Sequence, residues 1–455
     1  MLSKLLARTS STVLLAVAGA LAVTALASAA GPIANLNVTA MPGNETEDAI
    51  AVNPARPSNV VAMSTLPDVP AGLAVGVSTD AGHTWARRVI GASDTDPLGA
   101  ICCDQQLAWD RFGNLWMTYL VNTSGDVLVA LSTDGGFTFR KVADLQTKFG
   151  DQPSIAAGPN SVWVSFTATP GKQVQAFGAG VTGLGRFGAF TAPENVPSPG
   201  NGDYGDTAVG PAGQVMVTYQ NTENGQGGAD VYTAVDPDGL GPAGFGKPSK
   251  AAHSHVGGFD FIPAQPNRSI DVEANLAWDR SGGAHNGRVY LVWTDENPNE
   301  SDNTDVMLQH SDDNGATWSP AIKVNDDRTT NSQYDPSIAL DQTSGAVALS
   351  WYDTRNDLGT GGSGDVDGIP NDDFQVWATY STNGGGSLAP NFQVSRGTSS
   401  AVAAGSFFDV GDYTHAAFVA GSFWPAWSDN SNSTGDNPNG TLHQFDLYTA
   451  SVPIP

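Results

Sequence analysis

The sequence is poor in cysteine and in positive charge. Two of its 455 residues are Cys, and 20 Lys and Arg stand against 46 Asp and Glu, which gives a formal net charge of −26. Two thiols exclude a disulfide-rich scaffold and a zinc site built from several thiolates. Because so acidic a chain is repelled by nucleic-acid phosphates and by anionic lipid, we expect neither as a partner.

Long apolar runs and helical periodicity are also missing. After the first thirty residues no segment approaches the about 20 apolar residues of a membrane-spanning helix, so we expect no membrane insertion. No stretch repeats apolar residues at helical spacing; short β-rich runs alternate with turns, in keeping with 53 Gly and 28 Pro. A hydrophobic fraction of 40% suits a large core. The pattern predicts an all-β protein.

The first residues have the order of a secretory signal peptide. Lys4 and Arg8 precede an apolar run over 13–26, and small residues follow at 27–29. We predict a signal peptide over 1–29 and a single domain over 31–455. The protein is then secreted, to the periplasm or beyond the cell, and we expect a monomer.

One repeat consists of an acidic residue, a short apolar strand, a turn and a second strand. It occurs seven times, and its register shifts by one residue at Asp151, Asp203 and Asp412. The acids that begin the copies are Glu47, Asp104, Asp151, Asp203, Glu273, Asp335 and Asp412. Units of this kind cannot bury their own faces and must stack on one another.

A second repeat reads Ser-x-Asp-x-Gly-x-Thr-aromatic. Copies begin at Ser78, Ser132 and Ser311, and a less regular copy begins at Ser381. The residues predict a β-turn in which Asp accepts backbone N–H bonds and Gly takes a positive φ, while the aromatic ring fills the space behind. We interpret these turns as structural elements that stabilise hairpins.

Together the repeats predict a β-propeller of four-stranded blades. Seven repeats favour seven blades, with six as the alternative. The segments that follow the turn repeat, 319–326 and 388–395, have the same shape as the segment over 31–40. The last repeat has no such segment. We therefore predict that the N-terminal strand completes the last blade and closes the ring.

The turn repeats resemble the Asp-box repeats of the sialidase superfamily and of related secreted BNR-repeat proteins, over residues 31–455. The resemblance implies a propeller. In a true sialidase it also implies three arginines that clamp the substrate carboxylate, a Tyr–Glu nucleophile pair and an Asp acid/base. Sialidases carry the first arginine in an early Phe/Tyr-Arg-Ile-Pro segment. This sequence has no such segment, and Arg56, its first arginine after the leader, lies in a predicted turn.

The seven repeated acids are candidate binding residues. In a propeller the innermost strand of each blade begins near the central channel, so the acids are expected near one rim of it. Carboxylates at that density repel one another, which favours a cation-dependent or an acid/base site. The alternative is that each acid caps its own strand by accepting backbone N–H bonds.

Four residues are candidate catalytic groups. Arg355 follows a buried strand and could grip a sugar acid, although it could equally pair with Asp353 or Asp357 in its own loop. Glu273 could form a Tyr–Glu pair with Tyr334 or Tyr413. The candidates are Arg355, Glu273, Asp335 and Tyr334.

The loop over 364–373 is a candidate calcium site. Its hard oxygen donors lie close together in the sequence, and an exported protein meets calcium in many settings. The candidate ligands are Asp365, Asp367, Asn371 and Asp373, with Asp372 beside them. The alternative is a solvated acidic loop.

Cys102 and Cys103 are adjacent, directly before Asp104. In an exported protein we expect them to form a vicinal disulfide that stiffens the chain at the channel rim. Two buried thiols, or a thiolate metal site, are the alternatives.

Three functions are compatible with the sequence. The first is a propeller that binds an extracellular glycan, polymer or protein partner without chemistry. The second is a glycoside hydrolase of sialidase-like type that acts on sugar acids, and the third is a polysaccharide lyase with a His or Tyr base. Three arginines converging on one channel mouth would favour the hydrolase, a His–Tyr pair beside calcium the lyase, and a channel with only strand-capping acids the binding protein.

Overall fold

The computed structural model describes residues 33–67, 71–122, 124–145, 149–169, 171–198, 202–203, 205–221, 226–439 and 443–455. The predicted signal peptide, 1–29, lies outside these residues. The chain from Ile33 to Pro455 forms one compact unit. Within the described chain no helix has the length and apolar character that crossing a membrane requires.

Seven antiparallel sheets follow one another along the chain as the blades of a β-propeller, each with four main strands. The first strand, β1 (Asn35–Asn37), belongs to the last blade. Blade 1 contains β2 (Thr46–Val52), β3 (Val60–Leu66), β4 (Gly72–Ser78) and β5 (Ala86–Ile90). Blade 2 contains β6 (Ile101–Trp109), β7 (Leu115–Val121), β8 (Val127–Ser132) and β9 (Arg140–Asp144).

The next two blades continue the same order from the axis outward. Blade 3 contains β10 (Gly150–Ala157), β11 (Ser161–Ala168), β12 (Gln173–Gly183), β13 (Arg186–Phe187) and β14 (Glu194–Asn195). Blade 4 contains β15 (Thr207–Val209), β16 (Val215–Gln220), β17 (Ala229–Asp236) and β18 (Ser249–Ser254). A separate two-stranded hairpin follows, made of β19 (Asp260–Ile262) and β20 (Gln265–Ile270). We call it the capping hairpin.

The last three blades complete the ring. Blade 5 contains β21 (Asn275–Trp278), β22 (Val289–Glu296), β23 (Thr304–Ser311) and β24 (Ile322–Lys323). Blade 6 contains β25 (Gln333–Leu340), β26 (Val347–Asp353), β27 (Asp373–Ser381), β28 (Phe392–Gln393) and β29 (Ser399–Ser400), and the short helix α1 (Ala401–Ala404) follows. Blade 7 contains β30 (Ala416–Val419), β31 (Ser422–Asp429), β32 (Asp446–Ala450) and β33 (Val452–Pro453).

The N-terminal strand closes the ring, as the sequence predicted. β1 pairs antiparallel with β32, with Asn35 opposite Ala450. The next residue, Val38, is fully buried, and its N–H donates to Leu447 at 2.8 Å. The Val38 side chain fits against Gly76 only because Gly76 has no side chain. A Cβ at Gly76 would lie 2.2 Å from Val38 Cγ1. The propeller has seven blades and not six. A strand from the start of the described chain completes the last of them.

The Ser-x-Asp turns join the third and fourth strands of blades 1, 2, 5 and 6. In blade 1, Ser78 Oγ accepts the N–H of Gly82 at 2.8 Å, and Asp80 accepts both the N–H and the hydroxyl of Thr84. The copies that begin at Ser132, Ser311 and Ser381 repeat the bond to the glycine N–H. Each turn satisfies its own polar groups, which explains why these residues recur in a structural role.

The up-and-down strand order creates two faces. Inner strands begin on one face, which we call the start face, and it also carries the loops between second and third strands. The opposite turn face carries the turns between first and second strands and the Ser-x-Asp turns. Between the blades, the second strands supply large buried rings to the core: Trp116, Trp163, Trp293, Trp351 and Trp427.

Candidate functional site

The repeated acids lie together at the start-face end of the propeller axis. The charge of Asp412 helps to raise the pKa of five of them: Glu47, Asp104, Asp151, Glu273 and Asp335. Asp203 acts in the same way on Asp151. The structure adds Asp271, which lies two residues before Glu273 and outside the repeat. We call these eight residues the axial acid cluster.

A β-bulge positions several of these side chains. In blades 1, 2, 3 and 6 two inner-strand residues oppose one residue of the second strand. The first bulged residue has a positive φ in each case: Glu47 (58°), Asp104 (57°), Gln152 (43°) and Asp335 (46°). Gln152 takes this position in blade 3 because Asp151 is displaced by one residue, the shift that the sequence repeat indicated. Left-handed residues with side chains are strained, and such strain concentrates at functional sites.

Arg268 supplies positive charge to the axial acid cluster. It reaches in from the capping hairpin, where its Nε donates to Asp412 Oδ1 at 2.5 Å and its Nη2 contacts Oδ2. Its guanidinium also lies 5.6 Å from the centre of the Phe408 ring. At the edge of the cluster Lys172 forms an ion pair with Asp203. Among the residues that the structure describes, two cations thus face the eight carboxylates.

The capping hairpin covers this end of the axis. Gln265 Nε2 donates to the Gly411 carbonyl at 2.9 Å, and its Oε1 accepts the N–H of Val410 at 3.0 Å. Asp409 accepts the N–H of Asn267 at 2.7 Å. These bonds fasten the hairpin to the segment before blade 7. The candidate residues Glu273 and Asp335 are consequently 7% and 1% exposed.

The acids cap strands only in part. Asp104 Oδ2 accepts the N–H of Gln152 at 3.0 Å, so it caps the neighbouring blade and not its own strand. Glu47 Oε2 accepts the hydroxyl of Thr65 at 2.9 Å. Among the residues that the structure describes, the buried oxygens Glu273 Oε2 and Asp335 Oδ1 have no hydrogen-bond partner. Strand capping therefore does not account for the whole cluster.

Burial and mutual repulsion favour the protonated form of the cluster. Burial and the charge of Asp412 raise the pKa of Glu47 to about 7, against the opposing charge of Arg268. Burial and the charge of Asp203 raise the pKa of Asp151 to about 6. The pKa values of Asp104 and Asp335 rise well above the ordinary range, chiefly through burial. The cluster thus holds protons near neutral pH.

Tyr413, and not Tyr334, is the tyrosine beside Glu273. Burial and the charges of Asp104, Glu47, Asp412 and Glu273 raise the pKa of Tyr413 well above its usual value. Its hydroxyl makes no hydrogen bond to any described residue, so no proton path to Glu273 is formed. Tyr334 lies 5.4 Å from Tyr352, ring centre to ring centre, in the core between blades.

Arg355 lies in the loop between the second and third strands of blade 6, where it makes local pairs. Its Nη2 lies 2.7 Å from Asp353 Oδ2 and its Nη1 2.9 Å from Asp326 Oδ1. Its guanidinium carbon is 4.1 Å from the centre of the Trp377 ring. The arginine therefore forms the local pairing with Asp353 that was the alternative in the sequence analysis, and it adds a packing contact.

The other arginines do not converge. Arg280 lies at the turn face, bonded to backbone carbonyls, and Arg288 pairs with Asp312 in the Ser-x-Asp turn of blade 5. Arg328 is exposed. Arg268 lies in the axial acid cluster and Arg355 in blade 6, so no three of these five arginines share one channel mouth.

The blade 6 loop gathers its acids into two groups. Three ligand oxygens lie within 4.8 Å of one another in the group of Asp357, Asp365 and Asp373, and again in the group of Asp367, Asp372 and Asp373. Burial and the neighbouring carboxylates raise the pKa of Asp372 to about 7, and burial raises that of Asp373 to about 6. Hard oxygens without a basic partner suit calcium.

The structure changes the predicted ligand set at one position and extends it at another. Asn371 Oδ1 accepts the N–H of Ser332 at 2.7 Å and the hydroxyl of Thr354, so it is already engaged outside the acidic groups. Asp357 joins the first group from the start of the loop. Its proximity was not visible in the sequence, because sixteen residues separate it from Asp373.

An open pocket of about 440 Å³ adjoins this loop on the start face. Its lining combines hydroxyl, amide and carboxylate groups with two exposed valines, Val366 and Val402, which are 57% and 55% exposed. The lining residues are Val366, Asp367, Thr398, Ser400, Val402, Ala403, Asn430, Ser431 and His443. We call this the loop pocket.

Cys102 and Cys103 form a disulfide, and no free cysteine is present in the described chain. The bridge lies in β6, directly before the left-handed residue Asp104. It therefore constrains the backbone next to a member of the axial acid cluster.

No known protein family and no curated protein matches this sequence. Several solved structures are similar in outline at low identity. The α-L-arabinanase of Penicillium chrysogenum with arabinobiose has 13% identity and a TM-score of 0.45, over 76% of this chain and 98% of that one. The Hadza microbial sialidase Hz136 has 14% identity and a TM-score of 0.44, over 87% and 73%. The BP39L lectin of Burkholderia pseudomallei has 12% identity and a TM-score of 0.47, over 76% and 84%.

Proposed function

We propose that this propeller is a secreted protein that binds an extracellular glycan in the loop pocket, with a calcium ion as part of the site. One observation carries the proposal: Asp367 belongs both to the acidic group with Asp372 and Asp373 and to the lining of the loop pocket. A cation held by this group would lie at the pocket wall and could take sugar hydroxyls as further ligands.

The chemistry of the loop pocket suits a polyhydroxylated ligand. Its polar lining offers hydroxyl, amide and carboxylate groups that can exchange hydrogen bonds with sugar hydroxyls. Val366 and Val402 present apolar surface to the C–H groups of a sugar ring. The volume of about 440 Å³ lies within the range of small-ligand pockets.

The charge of the blade 6 loop supports a cation. The raised pKa values of Asp372 and Asp373 arise from burial and from neighbouring carboxylates, with no basic side chain among the causes. A divalent ion would remove the repulsion that raises them. Asp357, Asp365, Asp367 and Asp373 offer carboxylate oxygens alone, the donor set of calcium and not of a soft metal.

Binding without chemistry agrees best with the arrangement of the charged groups. No three of the five arginines compared above converge on one end of the channel, and the axial acids lie beneath the capping hairpin. Arg355 is occupied by Asp353 and Asp326. The three arginines that a sialidase uses to clamp the substrate carboxylate therefore have no equivalent at an open site among these five arginines.

The test is glycan binding by the purified protein with calcium or with a chelator. We expect binding to an array of sialylated, uronic and neutral glycans that is lost with the chelator. Asp367→Asn should weaken binding at least tenfold, and Val402→Arg should block the pocket without removing a ligand oxygen. Asp94→Asn is the matched control, because Asp94 is an exposed acid on the same face outside both acidic groups. Binding that is indifferent to calcium and to Asp367 would overturn the proposal.

A glycosidase of sialidase-like type is the second candidate, favoured by the position of Tyr413 beside Glu273. It requires the capping hairpin to move. Hydrolysis of a fluorogenic sialoside, with and without chelator, tests it directly. Turnover that disappears in both Tyr413→Phe and Glu273→Gln but survives in Arg355→Ala would establish this candidate. Absence of turnover in wild-type protein would reject it.

A further inference from the structure

The propeller axis contains a cavity of about 250 Å³ between the axial acid cluster and the turn face. The inner strands of blades 2 to 7 line it, and small side chains leave the space open. Each of these strands contributes an alanine: Ala108, Ala156, Ala208, Ala277, Ala339 and Ala417. Larger apolar residues such as Leu276, Ile338 and Phe418 complete the wall.

Arg280 is the charged residue of this cavity. It follows β21 on the turn face, and its Nη1 donates to the carbonyls of Ala157 at 2.7 Å and Val209 at 3.0 Å. Its N–H donates to Gln342 Oε1 at 2.7 Å, while Gln342 Nε2 donates to the Trp278 carbonyl at 2.9 Å. The guanidinium is thus held in place by blades 3 and 4, and the backbone of Arg280 is held by blade 6.

The guanidinium has no counter-charge. In the part of the chain that the structure describes, no carboxylate oxygen lies within the 4.0 Å ion-pair distance of Arg280, although the sequence has 46 acids and 20 Lys and Arg. Burial alone lowers its pKa to about 10. A cation in this position is stabilised only by neutral carbonyls, so an anion that reached it would be favoured.

An entrance lies on the turn face. A second cavity of about 300 Å³ opens there and shares Trp109, Ala157, Arg280 and Gln342 with the axial cavity. The exposed rim of this outer cavity includes Arg111. Arg280 therefore stands where the outer cavity meets the axial cavity.

We propose that the axial cavity binds a small organic acid, with its carboxylate on the Arg280 guanidinium and its apolar body among the alanines of the inner strands. The planar guanidinium matches a carboxylate in two-point geometry. The volume is below the 300–1,000 Å³ common for drug-sized ligands, which favours a body about the size of benzoate or hexanoate. The axial cavity shares no lining residue with the loop pocket, so the two sites are independent.

Isothermal titration calorimetry of the purified protein at pH 7.5 tests the proposal. The ligands are benzoate and hexanoate, their neutral amides as charge controls, and phosphate as the inorganic anion. We expect both apolar acids to bind and the amides and phosphate to bind at least tenfold more weakly. Arg280→Gln should weaken the apolar acids at least tenfold.

Two further variants separate binding from folding. Arg280→Gln removes a contact between blades, so it is paired with Ala339→Leu, which fills the cavity and keeps the arginine. We expect Ala339→Leu to weaken both apolar acids at least tenfold and Arg111→Gln, on the exposed rim, to change them less than twofold. No binding by wild-type protein, equal binding of acid and amide, or phosphate binding as tight as hexanoate would each overturn the proposal. Arg280 would then have a structural role, as a hydrogen-bonded contact between blades.

Discussion

Arg268 and Asp412 form a two-point ion pair at the start-face end of the propeller axis, with Nε 2.5 Å from Oδ1 and Nη2 in contact with Oδ2. The arginine comes from the capping hairpin and the aspartate from the segment before blade 7. This pair joins the capping hairpin to the acids beneath it. The stability of the capping hairpin and the ionisation of the axial acid cluster are therefore linked.

The free energy of unfolding should fall as the pH rises from about 5 to 7.5. The folded-state pKa values of Glu47 and Asp151 are raised to about 7 and 6, above those of the unfolded chain. Between the two sets of pKa values the folded chain holds protons that the unfolded chain releases, so raising the pH favours unfolding. Each unit of pKa corresponds to about 1.4 kcal/mol, and we expect a loss of about 2–4 kcal/mol.

Urea denaturation at fixed ionic strength over this pH range measures the effect. Glu47→Gln is the matched variant, since it removes one of the titrating groups and should flatten the profile. Stability that rises with pH over the same range would contradict the assignment of raised pKa values.

Removing the charge of Arg268 should destabilise the fold and steepen the same pH profile. Arg268→Gln leaves Asp412 and its neighbours without their guanidinium. Breaking a buried pair costs about 3–5 kcal/mol, and the partial exposure of this pair, 30% for the Arg268 side chain, reduces our expectation to about 2–3 kcal/mol. The double variant Arg268→Gln/Asp412→Asn should recover part of the loss. A strictly additive double variant would show that the two side chains are not coupled.

Arg355→Ala should cost stability and leave glycan binding unchanged. Its partner Asp353 is fully buried, so the variant leaves an uncompensated carboxylate and an uncovered Trp377 ring, at a cost of about 3–5 kcal/mol. Arg288→Ala is the control, because its partner Asp312 is 62% exposed and the expected cost is about 0–1 kcal/mol. Comparable losses in the two variants, measured by urea unfolding, would show that the blade 6 pair is not specially buried.

A chain that begins at Met41 should lose the closure of the ring. Without β1 the outer edge of blade 7 is unpaired, Val38 no longer buries its side chain, and Leu36 loses its partial burial. Full burial of such a side chain contributes about 1.5–3 kcal/mol, so we expect a loss of about 2–5 kcal/mol. A synthetic peptide of residues 31–42 should restore the thermal midpoint, whereas the same peptide with Leu36→Asp should not. An unchanged midpoint in the truncated chain would contradict a structural role for β1.

Local sequence patterns were sufficient for the architecture. The Ser-x-Asp turns have their bonding partners within four residues, as Asp80 and Thr84 illustrate, so their structure could be predicted from the sequence alone. The closing strand was predictable because its residues repeat the shape of other outer strands. The acid that begins each repeat lies within four residues of the start of its inner strand. In blade 3 the bulge begins at Gln152 and not at the acid Asp151, because a bulge adds a position that strand alternation does not reveal.

Long-range contacts explain what the sequence did not predict. Gln265 bonds Gly411, 146 positions away, so the cover over the axial acids had no local signal. Arg355 could be paired with Asp353 from the sequence, but its second partner, Asp326, lies 29 positions earlier. Asn371 belongs to the acidic loop by sequence, yet its carbonyl oxygen faces Ser332, 39 positions away. Each contact that the sequence did not predict involves a side chain whose partner is on another strand or loop.

The closing strand also determines the order in which the fold can be completed. Asn37 hydrogen-bonds Asp446, 409 positions later in the chain, so the strand synthesised first must wait for nearly the whole protein before it can pair. Until then blade 7 lacks its outer strand and the ring remains an open arc. Contacts between such distant residues are slow to form because closing the intervening loop costs chain entropy. Closure of the ring therefore requires two distant segments of the chain to meet within one blade.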